Sequence, residues 1–261
     1  MGGDAPGVVF AGAVGLCLGS FLNVCIARLP ADDPKARSLF YPPSSCPRCH
    51  RRIAWYDNIP ILSWAWLGAK CRYCRQPISA QYPLVEAAVA LLWVAAALFY
   101  GVTFEALRGA LFGTVLLGIA IIDARHQIIP HELTFGGLAI GLGLSLQGGA
   151  QGFVAALVGA AVGLGLLWIV RIVGGWVFKE EAMGLGDVFM MAMVGSFVGW
   201  RGVLLTIFLG ALLGTAVSLP QAVTRKRRVV PFGVYLAMGA LMTFVFGDGL
   251  LAWYVQFLRG S

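Results

Sequence analysis

Charge is what this chain has least of. Only 12% of its 261 residues are Asp, Glu, Lys or Arg, against roughly 25% in ordinary soluble domains. That shortage, with a mean hydropathy of +0.82, excludes a typical soluble enzyme and indicates an integral membrane protein. No removable signal peptide is expected either. Met1 to Pro6 has no basic n-region, and the first apolar run ends at Arg28-Leu29-Pro30 without a small-residue cleavage site, so residues 7–27 are expected to stay as a membrane helix. Nor does any strand lead into a glycine-rich turn, which removes the dinucleotide-type architecture as a site for a nucleoside cofactor.

What the chain does have is apolar length. Windows able to cross about 30 Å of hydrocarbon, roughly 17–25 residues each, fall at about 7–27, 82–101, 105–123, 130–147, 152–173, 183–200, 202–220 and 230–246. The expectation is an all-α polytopic membrane protein of about eight transmembrane helices. Gly247, Asp248 and Gly249 are expected to break the last helix, leaving Leu250 to Leu258 at the interface with Trp253 and Tyr254. The 35 glycines would be ruinous in soluble helices, but in lipid small residues let helices approach closely.

Cytoplasmic loops carry the excess of Lys and Arg. With the amino terminus outside, all 19 basic residues except Arg108, Arg201 and Arg259 fall on the cytoplasmic side. The net charge of +7 is thus mainly a topology signal, and nucleic-acid binding is a poor explanation for it. The run Arg225-Lys226-Arg227-Arg228 reads as an anchor to anionic lipid headgroups.

Two acids interrupt the apolar runs: Asp123 and, in Gly184-Leu185-Gly186-Asp187, Asp187. A charge inside a membrane segment costs of order 2.5–3.5 kcal/mol on insertion scales and is a functional-site hypothesis by default. Asp123 lies 15 residues after Arg108, and Asp187 lies 14 before Arg201. At about 1.5 Å per residue both sit roughly 21–23 Å from the outer boundary, at one depth near the cytoplasmic face. Brought together, one carboxyl can activate water while the other hydrogen-bonds the scissile carbonyl, the division of labour in aspartic proteases. The plainer reading of either residue alone is a helix cap or an interfacial group. Gly184 and Gly186 permit close backbone approach beside the acid.

Residues 30–81 are the one sizeable polar segment. They hold Cys46-Pro-Arg-Cys49 and Cys71-Arg-Tyr-Cys74, close to a C-x-x-C…C-x-x-C zinc pattern. Four thiolates suit tetrahedral Zn²⁺, and a filled shell implies a structural site. Two disulfides are the alternative, disfavoured in a reducing cytosol. A segment this short needs such a staple. Trp55, Ile59, Ile61, Leu62, Trp64, Trp66 and Leu67 are expected both to form a small core and to lean on the membrane surface. Cys17 and Cys25, inside the first helix, read as packing residues. The chain therefore divides into a first helix (1–29), a tetracysteine domain (30–81) and a seven-helix membrane domain (82–261).

These residues together resemble the type IV prepilin peptidases, also called prepilin leader peptidase/N-methyltransferases. Gly19-Ser20-Phe21-Leu22-Asn23-Val24 with Arg28-Leu29-Pro30 is similar to the family's opening signature. The knuckles enclose Asn58-Ile59-Pro60-Ile61-Leu62-Ser63-Trp64 and precede Ile78-Ser79 and Tyr82-Pro83-Leu84-Val85-Glu86. Ile122-Asp123, Ile129-Pro130, the Gly-Leu-Gly-Asp run and Pro231-Phe232-Gly233 complete the match. The resemblance implies a G-x-G-D aspartyl protease with catalytic Asp123 and Asp187, in a bacterial inner membrane, that cleaves type IV prepilins or type II secretion pseudopilins after a short basic leader. It also implies N-methylation of the new terminus with S-adenosylmethionine, whose binding residues the sequence leaves unassigned; the zinc-knuckle loop is a plausible contributor.

Two positions depart from the family pattern. It often has an acid where this chain has His131, and a lysine where it has Phe189. His126 and His131 read as interfacial, and Glu180 and Glu181 as solvated charges able to attract a basic leader. Two other classes fit the composition. A proton-coupled transporter would also place acids in a bundle, though no repeated pair of half-helices stands out. A noncatalytic assembly protein with a zinc domain is the other.

Overall fold

The computed structural model describes residues 5–33, 35–179, 183–223 and 231–258. Among these there is no strand; besides two isolated bridges and two short 3₁₀ helices, at Trp55–Asn58 and Leu146–Gly148, there are eight α-helices: α1 (Ala5–Arg28), α2 (Leu62–Trp66), α3 (Gln81–Tyr100), α4 (Phe104–His126), α5 (His131–Ser145), α6 (Gly149–Phe178), α7 (Leu185–Val223) and α8 (Phe232–Leu258). Their ends follow local chemistry. Pro6 suits the first turn of α1 and Pro30 follows its end, with Arg28 in the last turn facing the negative end of the helix dipole. Gly101, at φ 71°, stops α3, and the Thr103 hydroxyl accepts the Ala106 N–H at 3.3 Å to start α4.

Among the described residues six stretches are long and apolar enough to cross a bilayer, and the chain is a multi-pass membrane protein. The eight expected windows map onto these six because two stretches each contain a pair of helical segments. His131–Val177 is interrupted by a 3₁₀ turn at Leu146–Gly148, and Leu185–Ser218 by Gly199, whose φ of 69° and ψ of 176° are not helical. One expectation is corrected. Gly247, Asp248 and Gly249 do not break the last helix, because α8 continues through them to Leu258. Glycine only weakens a helix, and in an apolar setting an unbroken helix satisfies every backbone group internally.

The chain separates into two compact units, Met1–Thr114 and Val115–Ser261. In the first, α1 packs along α3 at a distance only glycine allows. A Cβ on Gly19 would stand 2.7 Å from the Glu86 Cα. Asn23 fastens the pair by donating from Nδ2 to the Tyr82 carbonyl at 3.0 Å. Trp93 is tied to the middle of α4 by its indole N–H, 3.1 Å from the Thr114 hydroxyl.

In the second unit α7 is the central post, packed against α5, α6 and α8. Its first half is solidly buried: Val188, Met190, Met191, Met193 and Val194 have no exposure at all. Gly159 on α6 and Gly195 on α7 meet with each glycine's Cβ position falling on the other's carbonyl. Gly195→Val is expected to destabilise the protein by about 1–3 kcal/mol, as overpacking does. Gly165→Val, placed where a Cβ meets nothing within 4 Å, is the matched control. Thermal unfolding in detergent should show a lower midpoint for the first variant alone.

Candidate active site and metal centre

Asp123 is the fourth residue from the end of α4 and only 5% exposed. Its carboxylate oxygen Oδ2 accepts the Val234 N–H at 3.2 Å, with the Gly233 N–H alongside. Both belong to the first turn of α8, where N–H groups have no partner within the helix and favour an anion. Gly233 is needed for this approach, since a Cβ there would lie 2.8 Å from Asp123 Oδ2. Asp187 lies at the opposite kind of helix end, as the third residue of α7. Its carboxylate accepts the Gly184 N–H and stands within electrostatic range of Asp123. Asp187 Oδ1 is buried without a hydrogen-bond partner, an exception that native proteins rarely leave without a use.

Ile129 holds the two acidic segments in register. After α4, Gln127 takes a left-handed conformation (φ 56°), and the chain delivers Ile129 into contact with two glycines. The Ile129 Cβ lies 2.7 Å from the Cβ position of Gly186, and its Cδ1 2.8 Å from that of Gly233. Gly186 is therefore small because Ile129 occupies the space. Gly184 answers to a different need: it has an ordinary φ, and its Cβ position comes nearest to Asp187 Oδ2, at 3.4 Å. No role for Ile129, Gly233 or Val234 is readable from the sequence alone. Their signal was the Ile129-Pro130 and Pro231-Phe232-Gly233 motifs, the second lying at a helix start.

His131 and Phe189 touch each other. The His131 ring meets the Phe189 ring edge-on, with centroids 5.3 Å apart, and Phe135 packs on both. Position 131 is thus part of an aromatic group, while His126 is exposed. Glu180, Glu181 and Arg225 to Arg228 lie outside the described residues.

In the first unit the four cysteines converge, with their Sγ atoms all within 4.8 Å of one another. The halves are built alike. Cys46 N–H donates to the Arg51 carbonyl and His50 N–H to that of Cys46; Cys71 N–H donates to Gln76 and Arg75 N–H to Cys71. His50 and Arg75, each four residues after the first cysteine, take the same left-handed turn at φ 56° and 59°. None of the four is in a disulfide. The Cys49 and Arg48 N–H groups draw the Cys46 thiol down to about 6, and those of Cys74 and Tyr73 lower Cys71. Despite the Gln76 N–H, burial and the neighbouring cysteines push Cys74 up to about 11. Metal binding requires thiolates, and a cation among four sulfurs this close would stabilise them in that form. The cluster fits a metal ion.

Around the knuckles the aromatic residues split. Trp64 turns inward, its indole N–H donating to the Ile78 carbonyl at 3.2 Å, whereas Trp55 and Trp66 are more than 80% exposed. Arg72 forks onto Asp57, with Nε 2.7 Å from Oδ2, and this guanidinium holds the Asp57 carboxyl below its ordinary value. Cys25 is buried in α1 and Cys17 lies on its exposed face. Between the knuckles, α1 and the start of α3 lies a cavity of about 670 Å³, with Asn23 and Glu86 in its wall.

Residues 13–100 match the bacterial peptidase A24 N-terminal domain, and residues 110–219 match the type IV leader peptidase family. A prepilin leader peptidase/N-methyltransferase of Myxococcus xanthus is 42% identical over 211 residues, covering 81% of this chain and 62% of that protein, less than two thirds of its length. Proteins of the same name from Aeromonas hydrophila and Stutzerimonas stutzeri are 35% and 38% identical, covering 92% and 97% of this chain and 91% and 95% of their own. No solved structure matches.

Replacing Cys46 or Cys71 by serine is expected to reduce bound metal from about one equivalent per chain to a small fraction of that. Elemental analysis of the purified protein checks this. Full retention in both variants would mean that the four sulfurs do not hold the ion.

Proposed function

The chain belongs to the type IV leader peptidase family, and from that premise we propose that it is a membrane aspartyl endopeptidase that removes the basic leader from type IV prepilins or type II secretion pseudopilins. In this reading residues 82–261 carry the peptidase, with Asp123 and Asp187 as its catalytic acids and Gly184 and Gly186 in the supporting loop. The same chain then N-methylates the new amino terminus.

One observation supports the peptidase most directly: two carboxyl groups within electrostatic range, one held by the Val234 N–H and the other with a buried oxygen lacking a partner. An extended peptide beside them would receive a water molecule from one carboxyl, which takes its proton. The other carboxyl hydrogen-bonds the carbonyl oxygen as charge develops there. The Val234 and Gly184 N–H groups keep both acids oriented without acting on the substrate. Neither acid needs a third group to perform these roles.

The excess of basic residues in alternate connections supports a bacterial inner-membrane orientation with the active site and the cysteine domain at the cytoplasmic face. There the positive charges of a leader would hold it beside acids near the inner boundary. Membrane lipid is the chain's surrounding partner, and the basic residues serve topology in place of nucleic-acid binding. The metal is Zn²⁺, because four thiolates favour a soft tetrahedral ion and leave no open position for catalysis. Its role is to clamp residues 30–81. S-adenosylmethionine supplies, when bound, an electrophilic methyl group on a sulfonium.

Purified protein incubated with a prepilin in detergent should release the leader, and Asp123→Asn and Asp187→Asn should each slow this by about 10²–10⁴-fold. A peptide already lacking its leader should still be methylated by both variants. Leader release at the unaltered rate in either variant would remove that residue from catalysis.

A further inference from the structure

We infer that the 670 Å³ cavity of the first unit is the binding site for S-adenosylmethionine, with Asn23 and Glu86 recognising its cationic, N–H-bearing groups. The assignment rests on the methyl-transfer half of the function proposed above. Its size lies within the roughly 300–1,000 Å³ of small-molecule sites.

Three motifs that the peptidase leaves without a role meet at this cavity. Ser20 and Asn23 come from the opening signature, Ile61 and Ser63 from the segment between the knuckles, and Tyr82 and Glu86 from the start of α3. They are separated along the chain, and the fold turns all three toward one space. Cys46 and Cys71 line it too, so the metal centre forms part of its wall.

The chemistry of the buried wall selects the ligand. Asn23 is 2% exposed; its Nδ2 is used by the Tyr82 carbonyl, and its Oδ1 is buried with no hydrogen-bond partner. That oxygen requires an N–H or O–H donor. Glu86 is 6% exposed and accepts the Ile61 N–H at 2.7 Å, yet no ion pair among the described residues reaches it. A buried carboxylate without a counter-charge is unfavourable. Asn23 therefore asks for an N–H or O–H donor and Glu86 for a positive charge, while Arg28, Arg48, Arg51, Arg52 and Arg72 also line the cavity, Arg72 being paired with Asp57, and guanidinium groups suit a carboxylate. S-adenosylmethionine carries all of these complements: a sulfonium, an ammonium, an exocyclic adenine amine and a carboxylate.

Backbone strain shows how firmly Glu86 is aimed. Ile61 adopts φ 60°, ψ −51°, a conformation that a β-branched residue rarely takes. In that conformation its N–H points at the carboxylate. Trp64 and Tyr82, also in the wall, supply flat faces on which a base can stack.

The test is binding, read apart from turnover. Titration calorimetry of the whole detergent-solubilised protein with S-adenosylmethionine should give a Kd that Glu86→Gln weakens about tenfold or more, as loss of a charge-assisted contact does. Photo-crosslinking of the radiolabelled cofactor to the unaltered protein should label peptides within residues 20–86. Metal content and the thermal midpoint report whether the variant is folded; if it is not, the crosslink map decides alone. A folded Glu86→Gln protein with unchanged affinity, or a label confined to residues 115–258, would overturn the assignment while leaving methyl transfer intact. An unaltered protein that neither binds the cofactor nor methylates a cleaved peptide would overturn the methyltransferase reading itself, and this site with it.

Discussion

Two apolar helices in lipid have no hydrophobic reason to prefer each other to the acyl chains, so their association depends on how closely backbones can approach. In the Val115–Ser261 unit that approach is made at glycine. Gly159 and Gly195 bring α6 against α7, and Gly239 brings α8 against Thr206 and Gly210 of α7. With α7 fixed on these sides, its first turn has one position available, and Asp187 goes with it. The fixing of α8 likewise carries Val234 to Asp123. The acids are thus positioned by contacts made several turns away from them.

The same placement explains how buried acids are tolerated. Each carboxylate receives backbone N–H groups from the start of a helix or the loop before it, where the unshared donors and the dipole favour negative charge. A carboxylate satisfied by backbone retains its lone pairs for other work, and no lysine or arginine is required in the apolar interior. Ile129 completes the arrangement as an inert spacer, filling the volume left by Gly186 and Gly233.

What the sequence made legible were residues whose chemistry is out of keeping with their surroundings. Asp123 and Asp187 stand out against apolar runs, and four cysteines at knuckle spacing stand out in a polar loop; the fold gathers each set. The all-helical class was legible for the same reason, since apolar length admits few alternatives. Residues that act by shape were not. Ile129, Gly233 and Val234 owe their roles to backbones meeting across long sequence separations, and nothing local marks such a meeting. Asn23 and Glu86 could be quoted as parts of separate motifs but not as neighbours across one cavity. The continuity of α8 through Gly247 and Gly249 is not legible either, because turn-forming residues break a helix readily in water, where an exposed backbone is cheap, and not in an apolar setting.

The ring contact between His131 and Phe189 also bears on how this chain can change over generations. His131 is exposed, yet its ring meets Phe189, so a substitution at either position also changes the surroundings of the other. The effect of altering one of them then depends on which residue the other already carries, and their histories are tied together.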